Sequence, residues 1–117
     1  MTIRPKIFIS GRISGTNDYM KRFAHAEEFL KNQNSNNIVI NPTKVTATLP
    51  HSSWEEYMDV TLPLLKQCNT VYMLRDWEYS YGARIENTWA KATGKAITYE
   101  REENAYCKDM DYDIGET

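Results

Sequence analysis

The chain has 117 residues, 41% of them hydrophobic and 26% charged, the composition of one globular domain rather than of a disordered or fibrous chain. It lacks an apolar run of the roughly 18 residues that span a bilayer, and it opens into an apolar segment too short for a signal-peptide core, so the cytosol is the expected compartment. The formal charge of −2 divides into +3 over residues 1–99 and −5 over residues 100–117; such a body suits a small anion but lacks the dense basic stripe of a nucleic-acid binder.

The first apolar run, residues 6–10, is rich in isoleucine and does not alternate strictly, which predicts a strand buried on both faces. A glycine- and hydroxyl-rich loop follows. Tyr19, Phe23, Ala26, Phe29 and Leu30 then share one helical face, with Asp18 as the expected N-cap and His25 in a surface or half-buried structural role. Residues 37–40 predict the second strand, and residues 42–53 read as a long polar loop. Ser53-Trp54-Glu55-Glu56 is a capping-box pattern opening a helix to about Cys68, with a kink or break expected at Pro63. Residues 70–74 predict the third strand. A last helix is expected from just after Gly82 to Gly94, and residues 96–99 form the fourth strand. Residues 100–117 read as an acidic tail, peripheral to a domain over residues 1–99. Cys68 and Cys107 form neither a disulfide framework nor a metal-ligand pair at useful spacing.

Alternating strands and helices imply a flavodoxin-like (Rossmann-like) three-layer αβα fold. Its parallel sheet is expected to hold four or five strands in the order 2-1-3-4(-5). Ligands of such sheets bind beyond the carboxyl ends of the strands, where the strand order reverses, here between the loops after strands 1 and 3. The first loop reads Ser10-Gly11-Arg12-Ile13-Ser14-Gly15-Thr16. Its glycines admit close approach, its hydroxyls donate, and Arg12 supplies positive charge for a phosphate. A plain strand-to-helix turn would use glycine in the same way, and both readings stand. The other loop and the helix after it read Arg75-Asp76-Trp77-Glu78-Tyr79-Ser80-Tyr81-Gly82-Ala83-Arg84-Ile85-Glu86. Glu86 falls in the first turns of a helix, where the dipole favours an ionised carboxylate, suited to act as a nucleophile or to stabilise an oxocarbenium ion. Acids are common at such positions for the dipole alone. Trp54, Tyr57, Trp77, Tyr79 and Tyr81 could stack a base or simply pack; His51 could contact a base or nothing.

Taken in order, Phe8-Ile9-Ser10-Gly11, then Leu64-Leu65-Lys66-Gln67-Cys68-Asn69-Thr70-Val71, then Gly82-Ala83-Arg84-Ile85-Glu86 with Ala90, Gly94 and Lys95, resemble the nucleoside 2-deoxyribosyltransferase-like superfamily. The likeness covers about residues 6–99. It is strongest to a small bacterial and phage branch with a Trp…Tyr-Met stretch, here Trp54…Tyr57-Met58. That branch also has a Gly-Trp-x-x-Ser-x-Gly-Ala-x-x-Glu-like stretch, matched here except at Asp76. The resemblance implies cleavage of an N-glycosidic bond without cofactor or metal, with Glu86 attacking or stabilising the anomeric carbon. Superfamily members acting on free nucleosides tend to carry an aspartate where this chain has Ser80. The 2′-deoxynucleoside 5′-phosphate N-hydrolases carry a serine that binds the 5′-phosphate, so a nucleoside monophosphate is the expected substrate. Ser10, Gly11, Arg12, Ser14, Gly15, Ser80 and Gly82 are expected around phosphate or sugar, and Trp54 or Trp77 near the base.

Two positions depart from the family. Its glutamate-orienting tyrosine corresponds to Phe8, and its aspartate on the helix that opens here at Ser53, which serves leaving-base protonation, corresponds to Thr61. Asp59 is the nearest substitute, but it lies about 200° around the helix from Thr61 unless Pro63 shifts the register. The alternative is therefore a nucleotide-binding sensor or scavenger with impaired chemistry. The resemblance also implies a homodimer; neither a membrane nor nucleic acid is an expected partner.

Overall fold

The computed structural model describes residues 4–46 and 53–107. Strand β1 (Lys6–Ser10) lies between β2 (Ile38–Ile40) and β3 (Thr70–Met73), and β4 (Ala96–Tyr99) completes the sheet beside β3. All pairings are parallel, and the order 2-1-3-4 is the expected one. Helices α1 (Tyr19–Gln33), α3 (Trp54–Lys66) and α4 (Tyr81–Ala92) cover the sheet in a three-layer, flavodoxin-like α/β arrangement.

The pleat of β1 divides the core in two. Ile7 and Ile9 point to one face and pack with Phe23, Ala26 and Leu30 of α1. Phe8 points to the other face, among Leu65, Val71, Met73, Ala83 and Ala90. Because the side chains alternate, Ser10 projects to the same side as Phe8, toward α3 and α4. The strands are therefore buried on both faces in the middle of the sheet, as their unbroken apolar runs require.

Several local details depart from the sequence expectations. Residues 42–46 form a short helix, α2 (Pro42–Thr46), where a loop was expected. Asn41 caps it, its Oδ1 accepting from the Thr43 amide at 3.1 Å, and Pro42 supplies a preset φ at the first position. Asp18 does not cap α1 with its side chain; it accepts from Arg22 Nε at 3.1 Å instead. Helix α3 runs through Pro63 without a break. The carbonyl that loses its partner to that proline belongs to Asp59, a solvent-exposed residue that water can serve. Ser53 caps α3 as expected, its Oγ accepting from the Glu56 amide. Helix α4 starts at Tyr81, one residue before Gly82, because Ser80 caps it.

The chain beyond β4 stays with the domain at first. Glu100 continues the ladder to the Met73 carbonyl, and a 3-10 turn, Glu102–Asn104, brings the Asn104 carbonyl within 3.0 Å of His25 Nε2. His25 is half-buried there, beside the Tyr106 ring, in a structural role. Cys68 is buried and Cys107 exposed, and both are free thiols. Among the described residues no helix is long and apolar enough to cross a membrane.

Candidate functional site

The loops after β1 and β3 border a cavity of about 410 Å³, a volume in the range of small-molecule sites. Its walls include Gly11, Arg12, Ile13 and Ser14 from the first loop and Ser80, Tyr81, Gly82 and Ala83 from the start of α4. It lies where the strand order reverses, as the topology requires.

The first loop is braced from α1. Arg22 Nη2 donates to the Arg12 carbonyl at 2.6 Å and to Thr16 Oγ1 at 3.3 Å, while its Nε is held by Asp18. Gly15 sits at φ 79°, a conformation that glycine adopts freely, and it lies outside the cavity lining. Arg12 folds back so that its Nε reaches the Ser14 carbonyl at 3.1 Å, which holds the guanidinium along the cavity wall. Gly11 has a different task. A methyl group added there would stand 2.8–2.9 Å from Leu74 side-chain atoms, so only glycine lets the two strand ends lie this close.

At the opposite wall, Ser80 Oγ accepts from the Ala83 amide at 3.1 Å. That bond uses an oxygen lone pair and leaves the hydroxyl proton free to donate into the cavity. The first turn of α4 adds backbone amides and the positive end of a helix dipole. Arg12, the hydroxyls of Ser14 and Ser80 and this helix start together suit an anion.

Glu86 lies at the base of the cavity and is 4% exposed. Ser10, itself 1% exposed, donates to Glu86 Oε1 at 2.6 Å. Oε2 has no hydrogen-bond partner among the described residues. Burial pushes the carboxyl up to about 7, against the hydroxyls of Ser10 and Thr61, which favour the charged form. This corrects the expectation of a carboxylate kept ionised by the helix dipole. Glu86 is the sixth residue of α4, beyond the first turn where the dipole acts, so desolvation prevails.

Helix α3 presents Tyr57 and Thr61 to the site, four residues apart on one face. Burial, then the Glu86 and Tyr19 charges, raise the Tyr57 phenol, which therefore remains a neutral hydrogen-bonding group. Asp59 is exposed and does not line the cavity, so the uninterrupted helix leaves it off the site. Trp77 is also displaced from its expected place near the base. It packs on the α3/α4 core, its ring 5.9 Å from that of Tyr99, directly after the left-handed residue Asp76 at φ 68°. The aromatic lining is instead Tyr19, Tyr57, Tyr79 and Tyr81. Ser10 is a correction of another kind: it is enclosed beneath Glu86 and touches the cavity only through it. The backbone of Trp54 opens α3, and its side chain lies outside the described residues, as does His51.

Tyr19, Thr46 and Arg22 escaped the sequence reading. Tyr19 packs against the α1 core, as its helical face predicts, and it also lines the crevice, a second role that its place directly after the glycine loop could have signalled. The Asn-Pro start of α2 was the available signal for Thr46, and the Asp18/Arg22 spacing was the signal for the brace.

A family model described as a domain of unknown function, DUF4406, matches residues 5–99. The chain belongs to the DUF4406 family. The match takes in β1 through β4 and hence every described element that builds the cavity. No curated protein matches the chain. The DUF4406 region ends where the acidic tail begins.

Proposed function

We propose that the protein is a nucleoside 5′-monophosphate N-glycosidase of the nucleoside 2-deoxyribosyltransferase-like superfamily, nearest to its 2′-deoxynucleoside 5′-phosphate N-hydrolases. The observation that carries this reading is Glu86. It is a buried carboxyl with one oxygen held and one unpartnered, at the base of a cavity whose rim suits a phosphate. In its ionised form Glu86 Oε2 attacks C1′ of the sugar. A C1′–O bond forms, the C1′–N bond breaks, and the base leaves with the bonding pair and takes a proton from water. The hydroxide left by that proton transfer adds to C1′, the C1′–Oε2 bond breaks, and the Glu86 carboxylate is regenerated. The products are free base and sugar 5-phosphate. Arg12, Ser14, Ser80 and the start of α4 hold the phosphate, and the tyrosines of the lining meet sugar and base.

The test is incubation with each ribo- and deoxyribonucleoside monophosphate, with free base as the readout and Glu86→Ala as the control. Base release that survives Glu86→Ala would sink the assignment. A second reading, a nucleotide-binding sensor or scavenger, is favoured by one feature: among the described residues lining the cavity Glu86 is the only carboxylate, since position 61 is threonine and Asp59 faces away. Tight nucleotide binding without release from any substrate would select it.

A further inference from the structure

We infer that Ser10 is the positioning residue of the site: its hydroxyl fixes Glu86 by Oε1 and thereby designates Oε2 as the oxygen that meets the substrate. The last torsion of a glutamate is broad and roughly two-fold, so a carboxylate held by packing alone presents either oxygen. A directed donor at hydrogen-bonding distance breaks that symmetry, and Thr61, whose Oγ1 is turned to Met58 Sδ at 3.8 Å, lends Glu86 only weaker support. Ser10 is such a donor on a rigid mount. It is the last residue of the inner strand β1, paired to Met73 of β3, and its carbonyl accepts from the Leu74 amide at 2.8 Å. Its hydroxyl has one proton, and that proton is committed to Oε1 at 2.6 Å, a length typical of a bond to an ionised carboxylate.

The neighbours on the sheet explain why this duty falls to Ser10. Phe8, one pleat repeat earlier on the same face, is fully buried and offers no hydroxyl. From α3, Thr61 favours the charged form of Glu86 alongside Ser10, and Tyr57 stands near as a neutral phenol. Ser10 is therefore the strand's hydroxyl at Glu86, and it is sealed from the cavity contents. A residue so placed cannot select a substrate by contact. It acts through Glu86.

The chemical consequence rests on the glycosidase reading, while the electrostatic one does not, and the experiment separates them. Wild type, Ser10→Ala and Ser10→Cys are labelled with ¹³C at glutamate carboxyls, and Glu86 is assigned by its loss in Glu86→Gln. Its titration is then followed in the ligand-free proteins, with circular dichroism confirming the fold. Losing a hydrogen bond to a charged group raises the Glu86 midpoint by about one pH unit, about a tenfold change in proton affinity, in Ser10→Ala. Ser10→Cys, a weaker donor of similar shape, falls between. On the monophosphate that wild type cleaves, Ser10→Ala lowers kcat by about tenfold and leaves KM within about twofold. An unmoved Glu86 midpoint in Ser10→Ala would overturn the inference, as would a loss confined to KM. If wild type cleaves no nucleotide, the glycosidase reading fails, and the titration still decides whether Ser10 governs Glu86.

Discussion

Two glutamates are buried on helices of this domain, and the protein treats them in opposite ways. Glu27 on α1 is surrounded by partners: Lys31 Nζ at 2.8 Å, Lys44 Nζ at 2.9 Å and Asn41 Nδ2 at 3.2 Å. Burial works to raise its carboxyl, but these bonds prevail and hold it below the usual range. Glu86 on α4 has hydroxyls and no cation, one unpartnered oxygen, and a carboxyl pushed up to about 7. Glu27 ties α1 to α2 and is at rest. Glu86 is enclosed without the counter-charge that would settle it, the condition expected of a group reserved for chemistry.

The widest separation between the two should appear in catalysis. Glu86→Gln is expected to lower base release by about a thousandfold or more, while Glu27→Gln leaves kcat/KM within about twofold. Equal losses in both variants, in a steady-state assay of folded protein, would erase the distinction.

Stability should divide them next, with opposite sign. Removing Glu27 strands two lysines that are more than half exposed, so Glu27→Gln should cost on the order of 1–2 kcal/mol at pH 7 in urea denaturation. Glu86→Gln should stabilise the fold by on the order of 2 kcal/mol at pH 8. The folded state holds the Glu86 proton more tightly than the unfolded chain does. Its penalty is therefore absent below the ordinary value of 4.5, grows as pH rises, and is complete above about 7. Glu27 runs the other way: its contribution is present above 4.5 and is lost as acid protonates it. Denaturation midpoints of both variants between pH 4 and 8 should thus diverge upward, and parallel curves would contradict the assignment. The same ionisation should make wild-type kcat/KM rise with pH to a plateau above about 7, as the nucleophile gains its charge.

Smaller effects refine the comparison at the rims of the two regions. Arg12→Ala should raise KM for a nucleoside monophosphate about tenfold and leave that for the free nucleoside unchanged, if its charge serves the phosphate. Lys44→Ala, one of two cations on Glu27, should cost only about 0.5 kcal/mol in the same denaturation assay.

The fold was largely legible because strands and helices announce themselves in local patterns. The four isoleucine-, valine- and tyrosine-rich runs, the period around Phe23 and Leu30, and the Ser53 cap all carry their signal within a few residues. The position of the crevice followed from topology. What was not legible depended on residues far apart in sequence. Nothing near Glu86 reveals that Ser10, 76 residues away, will donate to it, or that burial will outweigh the helix dipole. The inward packing of Trp77 was illegible for the same reason, since its contacts are with Tyr99 and the α3/α4 core rather than with its sequence neighbours. Asp59 and Thr61 were ordered correctly by helical spacing, and the unbroken α3 removed the hope that Pro63 would bring the aspartate round.

Gly11 sets a dimension of this molecule by what it lacks. Leu74 occupies the space a Cβ would need, so the carboxyl ends of β1 and β3 close to a distance fixed by an absent carbon. The spacing between the loops that carry Arg12 and Ser80 is thus encoded at a residue with no side chain, next in the chain to the serine that holds Glu86. Any side chain there is a shim between the two strand ends. It would widen the mouth for a bulkier occupant while loosening the grip on a small one, and the buried carboxyl beneath would keep its neighbours.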